Sequence, residues 1–222
     1  MVEMATTQVT RAVRRNGPTS RDIQRENTRA RIIKCALLIF STKGFEGGST
    51  REIAAAAGIR QALISHYFEN KYALWQEAIL SLFADLDGRF IEHRVFDKSR
   101  PVEDRIKSLI RAYTGYTFDH PEHARLMQHA AMQGGEQLEW IDTHLMQRRF
   151  DAVLRLMKEA IGAGVFPNAH PVMLYFSFVG AVHSLYLLEA QVRSLTGFDP
   201  RAPGVLDRHF EVLIEIFLRK RT

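Results

Sequence analysis

The sequence predicts an all-α protein of about nine helices, arranged as a small N-terminal head followed by a larger C-terminal body. Three observations predict it. Apolar residues return every three to four positions over most of the chain, no segment alternates with period two for long enough to argue a strand, and glycines and prolines close the periodic stretches at helix-sized intervals. The charge is also uneven. Residues 1–70 hold eleven Lys or Arg against six Asp or Glu, while residues 71–222 hold nineteen of each, so the whole net charge of +5 lies in the first third. A basic portion joined to a neutral one implies a polyanionic partner for the first and a different task for the second.

Taken in order, residues 1–26 read as a flexible basic arm carrying Arg11, Arg14, Arg15, Arg21 and Arg25 with little apolar periodicity. These arginines fit a solvated tail and fit equally a tail that enters a DNA minor groove. From Thr28 the positions Ile32, Ile33, Ala36, Leu37 and Phe40 recur at helical spacing until Gly44, a glycine C-cap. Ser49 with Glu52 three residues on opens a short helix that Gly58 ends. A third helix spans about 61–68, and Lys71 opens a longer one reaching about Val95. Further helices are expected over 101–118, 121–133, 137–162, 170–195 and 204–220, punctuated by Pro101, Pro121, Gly134, Gly164 and Pro200.

Composition narrows the function classes. With 46% hydrophobic and 25% charged residues the chain suits a globular protein. The lone Cys35 excludes an internal disulfide and reads as a small buried thiol. The expected compartment is cytoplasmic, since no charged, apolar and small-residue leader pattern opens the chain. Val172 to Leu188 is free of formal charge, but His183 interrupts it and Glu189 follows it, so a buried helix meeting a second copy is expected there and no membrane span.

The stretch TREIAAAAGIRQALISHYFENK, Thr50 to Lys71, has the residue types of a helix-turn-helix. Ala54 is small where the second helix must approach, and Gly58 supplies the positive φ of the turn. Ile53, Ala57, Ile59 and Ile64 form a shared apolar seam and Phe68 anchors the end, which leaves Gln61, Ala62, Ser65 and His66 on the opposite face. The wider segment FSTKGFEGGSTREIAAAAGIRQALISHYFENKYALW resembles the tetracycline-repressor (TetR) family of bacterial transcription regulators. The Gly-Phe after helix one, Ser-x-x-Glu-Ile-Ala, Ala-Gly-Ile and aromatic-Phe-x-x-Lys-x-x-Leu stand in register.

That resemblance implies base contacts from Gln61, Ala62 and Ser65, with Arg60 and His66 beside them, and phosphate contacts from Thr50, Tyr67 and Lys71. Ser65 stands where a tyrosine is common and Arg60 where a small residue is common, so no relative's operator transfers. The resemblance also implies a DNA-binding domain over 27–71 and a ligand-binding and dimerisation domain over 72–222. The last two helices of that body would form a homodimer interface, and a pocket for a small-molecule effector would lie inside it.

Candidate pocket residues are Tyr113, Tyr116, Met127, Met132, Trp140, His144, Phe176, Val179, His183 and Tyr186, because aromatics and methionines with a few polar tips build adaptable apolar sites. The same stripe also suits a packed core. His120 and His123, with Asp119 or His144, invite a metal reading, but Pro121 makes them solvated loop and helix-start residues, so no metal site and no cofactor are expected. The sequence holds no phosphate loop and no nucleophilic serine motif. The reading is therefore no enzyme but a ligand-responsive transcriptional regulator, a repressor rather than an activator. It would bind a palindromic double-stranded DNA operator as a homodimer; the alternative is a helical adaptor of the same fold without specific DNA binding.

Overall fold

A computed structural model describes residues 19–218, and the first eighteen residues of the expected basic arm lie outside them. The chain is helical throughout, with no strand among the described residues. Helix α1 runs Ser20–Gly47, α2 Thr50–Ala56, α4 Lys71–Glu92, α5 Val102–Asp119, α6 Pro121–Gln133, α9 Pro171–Leu187, α10 Glu189–Thr196 and α11 Val205–Phe217. Between α2 and α4, α3 consists of a 3₁₀ turn, Gln61–Leu63, winding into Ile64–Tyr67. Helix α7, Gly135–Ile141, passes through a π turn at Asp142–Met146 into α8, Gln147–Gly162, so the two form one rod.

The expected boundaries hold closely, with three corrections. Helix α1 starts at Ser20, inside what reads as arm. Thr19 and Asp22 form a capping box there, the Thr19 hydroxyl accepting from the Asp22 N–H at 3.2 Å and the Asp22 carboxylate accepting from the Thr19 N–H at 2.9 Å. Those first turns are exposed, so they carry no apolar period to read. Helix α4 stops at Glu92, because the Val95 N–H bonds back to the Phe90 carbonyl with Arg94 at φ +53° and Val95 fully buried. This is a Schellman closure with an arginine where glycine is usual. The segment expected as one helix over 170–195 breaks at Leu188, where α9 and α10 meet at a 64° bend. That break raises the count from the expected nine to ten rods among the described residues.

The head is α1 to α3. Phe40, Ile32 and Ile53 have no exposed surface, and each such side chain contributes about 1.5–3 kcal/mol of burial. Helix α1 lies against both α4 and α6, which tie the head to the body. An aromatic run continues that joint, with Phe45 5.8 Å from Trp75 and Trp75 5.6 Å from Trp140. In the body α5 is the axis, packed on α4, α8, α9 and α11 through Ile106, Leu109, Ile110 and Tyr116. Cys35 is half-buried rather than enclosed, packed against the edge of the head's core.

Candidate DNA-reading face and ligand cavity

Local chemistry sets the geometry of the head. Ser49 caps α2 by accepting from the Glu52 N–H at 3.1 Å, while the Glu52 carboxylate turns to Lys43 at 2.6 Å, a contact that lowers its pKa. Gly58 turns the chain at φ +64°. Arg60 occupies the N-cap of α3 and makes no side-chain cap, and the first turn of α3 tightens to 3₁₀. Ile53, Ala57, Ile64 and Phe68 are buried, and Ile59 is half-buried beside them. Arg60, Gln61, Ala62, Ser65 and His66 are exposed on the far side of α3.

The expected phosphate-contacting residues are half-buried at the margins of this face. The Gln61 Nε2 donates to the Thr50 hydroxyl at 3.3 Å, which links a base-reading candidate to a backbone-holding one. The Lys71 ammonium donates to the Glu46 carbonyl at 3.3 Å and sits 4.5 Å from the Phe45 ring centre. The Tyr67 ring stands edge-on to His66 at 5.5 Å. Leu63, exposed between Ala62 and His66 in a shallow depression, adds apolar surface to this face. The sequence reading, which takes Ala62 and the polar residues of α3 for base contact, does not include it.

The body holds a cavity of about 710 Å³ between α5, α6, the α7–α8 rod and α9. Five of the ten candidates line it: Tyr113, Met127, Phe176, Val179 and His183. The other five do not. Tyr116 is fully buried one layer behind, its hydroxyl 2.9 Å from the His123 Nδ1. Met132 points outward and is 79% exposed. Trp140 packs on Trp75 and stacks with His144, whose Nδ1 bonds the Trp140 carbonyl at 2.9 Å, so both belong to the joint with the head. Tyr186 is fully buried, its hydroxyl 3.2 Å from the His209 Nδ1 on α11. The lining residues that the sequence reading omitted include His123, Phe150 and Tyr175.

His123 corrects the solvated reading most sharply. Pro121 does start α6, but Phe83 at 5.2 Å and Tyr116 at the same ring distance enclose the imidazole. Burial, with His183 and other positive neighbours adding to it, pushes its pKa down to about 3. Burial likewise lowers His183 to about 4, and its Nε2 lies 2.8 Å from the Tyr113 hydroxyl, which burial holds well above its usual range. His120 stays at the surface between Asp85 and Glu122, each 3.1 Å away, and its pKa is raised chiefly by the Glu122 bond. Among the described residues no group of three His, Cys, Asp or Glu is placed to hold a metal ion.

A narrower crevice of about 40 Å³ shares Tyr113, His123 and Tyr175 with the main cavity and reaches Phe83, Leu86 and Phe90 on α4. Helix α6 is the other wall that touches the head. Ala124, Met127 and Gln128 face the cavity, whereas His129 and Gln133 lie against Gly44 of α1. Among the described residues no single helix is long and apolar enough to cross a membrane; only the bent α9–α10 pair has the length and composition together.

Comparison with known proteins follows the same division. Residues 32–78 match the family model described as bacterial regulatory proteins, tetR family. The chain is 28% identical over 199 residues to the Bacillus subtilis protein named "Probable HTH-type transcriptional regulator YttP", covering 87% of this chain and 93% of that one. It is 28% identical over 104 residues to the HTH-type transcriptional repressor NicS of Pseudomonas putida, covering 47% of this chain and 48% of that one. A crystal structure of an HlyIIR mutant protein superposes with a TM-score of 0.66 at 22% identity, covering 88% of this chain and all of that one, which is a likeness of fold.

Proposed function

Because the chain belongs to the TetR family of bacterial regulatory proteins and carries its DNA-binding helix-turn-helix, we propose that it is a cytoplasmic, homodimeric repressor released from a palindromic operator by a small apolar effector. In this reading residues 27–71 are the reader and residues 72–222 hold the effector and the dimer contact. Gln61, Ala62, Ser65, Arg60 and His66 meet base edges, while Thr50, Tyr67 and Lys71 hold phosphates. Two-fold symmetry spaces the two α3 helices by about one DNA turn, roughly 34–36 Å, or a little more.

The observation that carries the reading is the position of the cavity. Its walls include the two helices, α4 through the inner crevice and α6 directly, that also pack on α1. An effector that favours a tilted α4 changes the separation of the recognition helices only if it binds the two states unequally, by about 1–3 kcal/mol. Apolar surface on α9 and α11 supports the dimer: Met173, Val212 and Ile216 are exposed, and the small Ser177 leaves room for close approach.

The test is selection of random duplex DNA by the purified protein at near-physiological salt. Enrichment of one palindrome is expected. Retention that is salt-sensitive but without sequence preference would replace the repressor with the adaptor of the same fold.

A further inference from the structure

The main cavity is apolar over most of its wall, and the polar groups at its inner end carry no charge. His123 and His183 have ring centres 6.2 Å apart. Each uses one ring nitrogen on a tyrosine: Nδ1 of His123 on the Tyr116 hydroxyl at 2.9 Å, and Nε2 of His183 on the Tyr113 hydroxyl at 2.8 Å. The second nitrogen of each ring, Nε2 of His123 and Nδ1 of His183, makes no hydrogen bond among the described residues, and no enclosed side-chain nitrogen or oxygen there lacks a partner. Those two atoms therefore keep open surface; His183 borders the main cavity, and His123 borders it where the inner crevice joins.

The tyrosines fix what these atoms offer. Each phenol stays neutral, and its hydroxyl has no other hydrogen-bond partner among the described residues, so its hydrogen goes to the imidazole nitrogen it faces. A neutral imidazole that accepts on one nitrogen carries its hydrogen on the other. Burial keeps both rings neutral, so α6 and α9 each bring one N–H donor to the wall they share. No Lys or Arg lines the main cavity. Arg149 borders the inner crevice, but its guanidinium is held by Asp87 at 2.8 Å and lies over the Phe83 ring. The one formal charge on the main wall is Asp142, exposed at the rim, which repels an anion.

We propose that the effector is an uncharged, largely apolar molecule bearing a carbonyl oxygen, which accepts hydrogen bonds from the His123 Nε2 and the His183 Nδ1 while the rest of it fills the wall of Met127, Phe150, Phe176 and Val179. A carboxylate of the same length would be buried without a counter-cation, and an ammonium seated between the histidines would face two N–H donors, with the wall's one carboxylate, Asp142, at the rim. This rests on the effector-binding role of the cavity but not on the operator.

The experiment titrates the full-length protein, without DNA, with 2-decanone, decanoate, decylammonium and the oxygen-free isostere 2-methyl-1-decene at pH 7.5. The ketone is expected to bind at least tenfold more tightly than decanoate or decylammonium. His183→Phe should weaken the ketone about fivefold and leave 2-methyl-1-decene within twofold. If His183→Phe does not fold, Tyr113→Phe takes its place, with a smaller loss for the ketone alone. Tightest binding of decanoate or decylammonium, equal weakening of ketone and alkene, or absence of ketone binding would each overturn the proposal. Failure of operator selection would leave these affinities standing, so the two readings fail separately.

Discussion

Gly44 of α1 packs against His129 of α6, so that a Cβ on the glycine would be in van der Waals contact with the His129 Nδ1 at 3.4 Å. The same glycine has φ +70° and ψ 178°, a backbone region that only glycine occupies without strain. Head and body thus touch at a position where the backbone, rather than the space beside it, calls for glycine. Gly44→Ala is expected to cost about 1–3 kcal/mol from the backbone alone. For a chain of this size that lowers the melting temperature by roughly 2–10 °C. An unchanged thermal melt would show that α1 relaxes at the kink and that the contact with α6 is not fixed.

Base-reading and phosphate-holding residues should separate by sequence dependence. Gln61→Ala is expected to cost about 1–3 kcal/mol on the selected operator and to relax preference at one position of each half-site. Lys71→Ala should weaken all sequences alike and lower the salt slope by about one per subunit. Thr50→Val joins the two effects, because it removes the hydroxyl that accepts from Gln61. Binding isotherms on operator and scrambled duplexes at three salt concentrations decide it; a uniform loss for Gln61→Ala would remove it from the base contacts.

Much of the head is legible because its turns are specified by residue type. Gly58 is where a positive φ is needed, Ser49 is a capping residue, and Ile53, Ala57 and Ile64 mark a buried stripe. The body is less so, since helical spacing says which residues share a face but not which neighbour that face meets. Met127 and Met132 read alike, yet one lines the cavity and the other is exposed. Trp140 and His144 turn to the head because Trp75 waits there. His123 looked solvated beside Pro121; only the arrival of Phe83 and Tyr116 from other helices encloses it. Leu188 breaks a helix with neither glycine nor proline to announce it.

The enclosed histidines give a pH dependence with a definite sign. His123 and His183 titrate near 3 and 4 in the folded chain, well below the ordinary value of about 6.5. The unfolded chain therefore binds more protons between those values, and stability rises with pH. Their contribution is complete above pH 6.5 and declines as pH falls toward 4 and 3, by up to roughly 1.4 kcal/mol per pH unit for each ring. His209, lowered by burial, acts in the same direction, and His120, raised by Glu122, opposes it. Urea unfolding between pH 6.5 and 5 should show this slope, and His123→Phe with His183→Phe should flatten it. An unaltered slope in the double variant would place the acid sensitivity elsewhere.

Arg105 is the charged residue most deeply set in the body, 4% exposed on α5. Its guanidinium bonds both carboxylate oxygens of Glu159 on α8, at 2.8 and 3.0 Å, and approaches the Val95 carbonyl at 3.4 Å. The pair therefore pins α8 and the end of α4 to α5. Half of the Glu159 side chain is in solvent, which limits its worth. Glu159→Gln is expected to destabilise by about 1–2 kcal/mol, less than the 3–5 kcal/mol of a fully enclosed pair. Chemical denaturation measures it, and operator affinity per folded dimer should not change, because the pair touches neither α3 nor the main cavity.

The dimer reading is tested on α11. Ile216 is 64% exposed and Val212 50%, one turn apart on α11, which packs against α9. In a monomer these side chains would remain in water at no cost to a charged replacement. In a two-fold interface, a glutamate at 216 would be buried without a partner and would approach its own symmetry mate, both of which oppose association. Ile216→Glu should therefore melt like the parent as an isolated chain, sediment as a monomer at micromolar concentration, and lose operator affinity by far more than a single base contact would cost. A variant that stays dimeric would move the interface away from α11, and Met173 and Ser177 of α9, exposed and outside the cavity wall, would become the next positions to substitute.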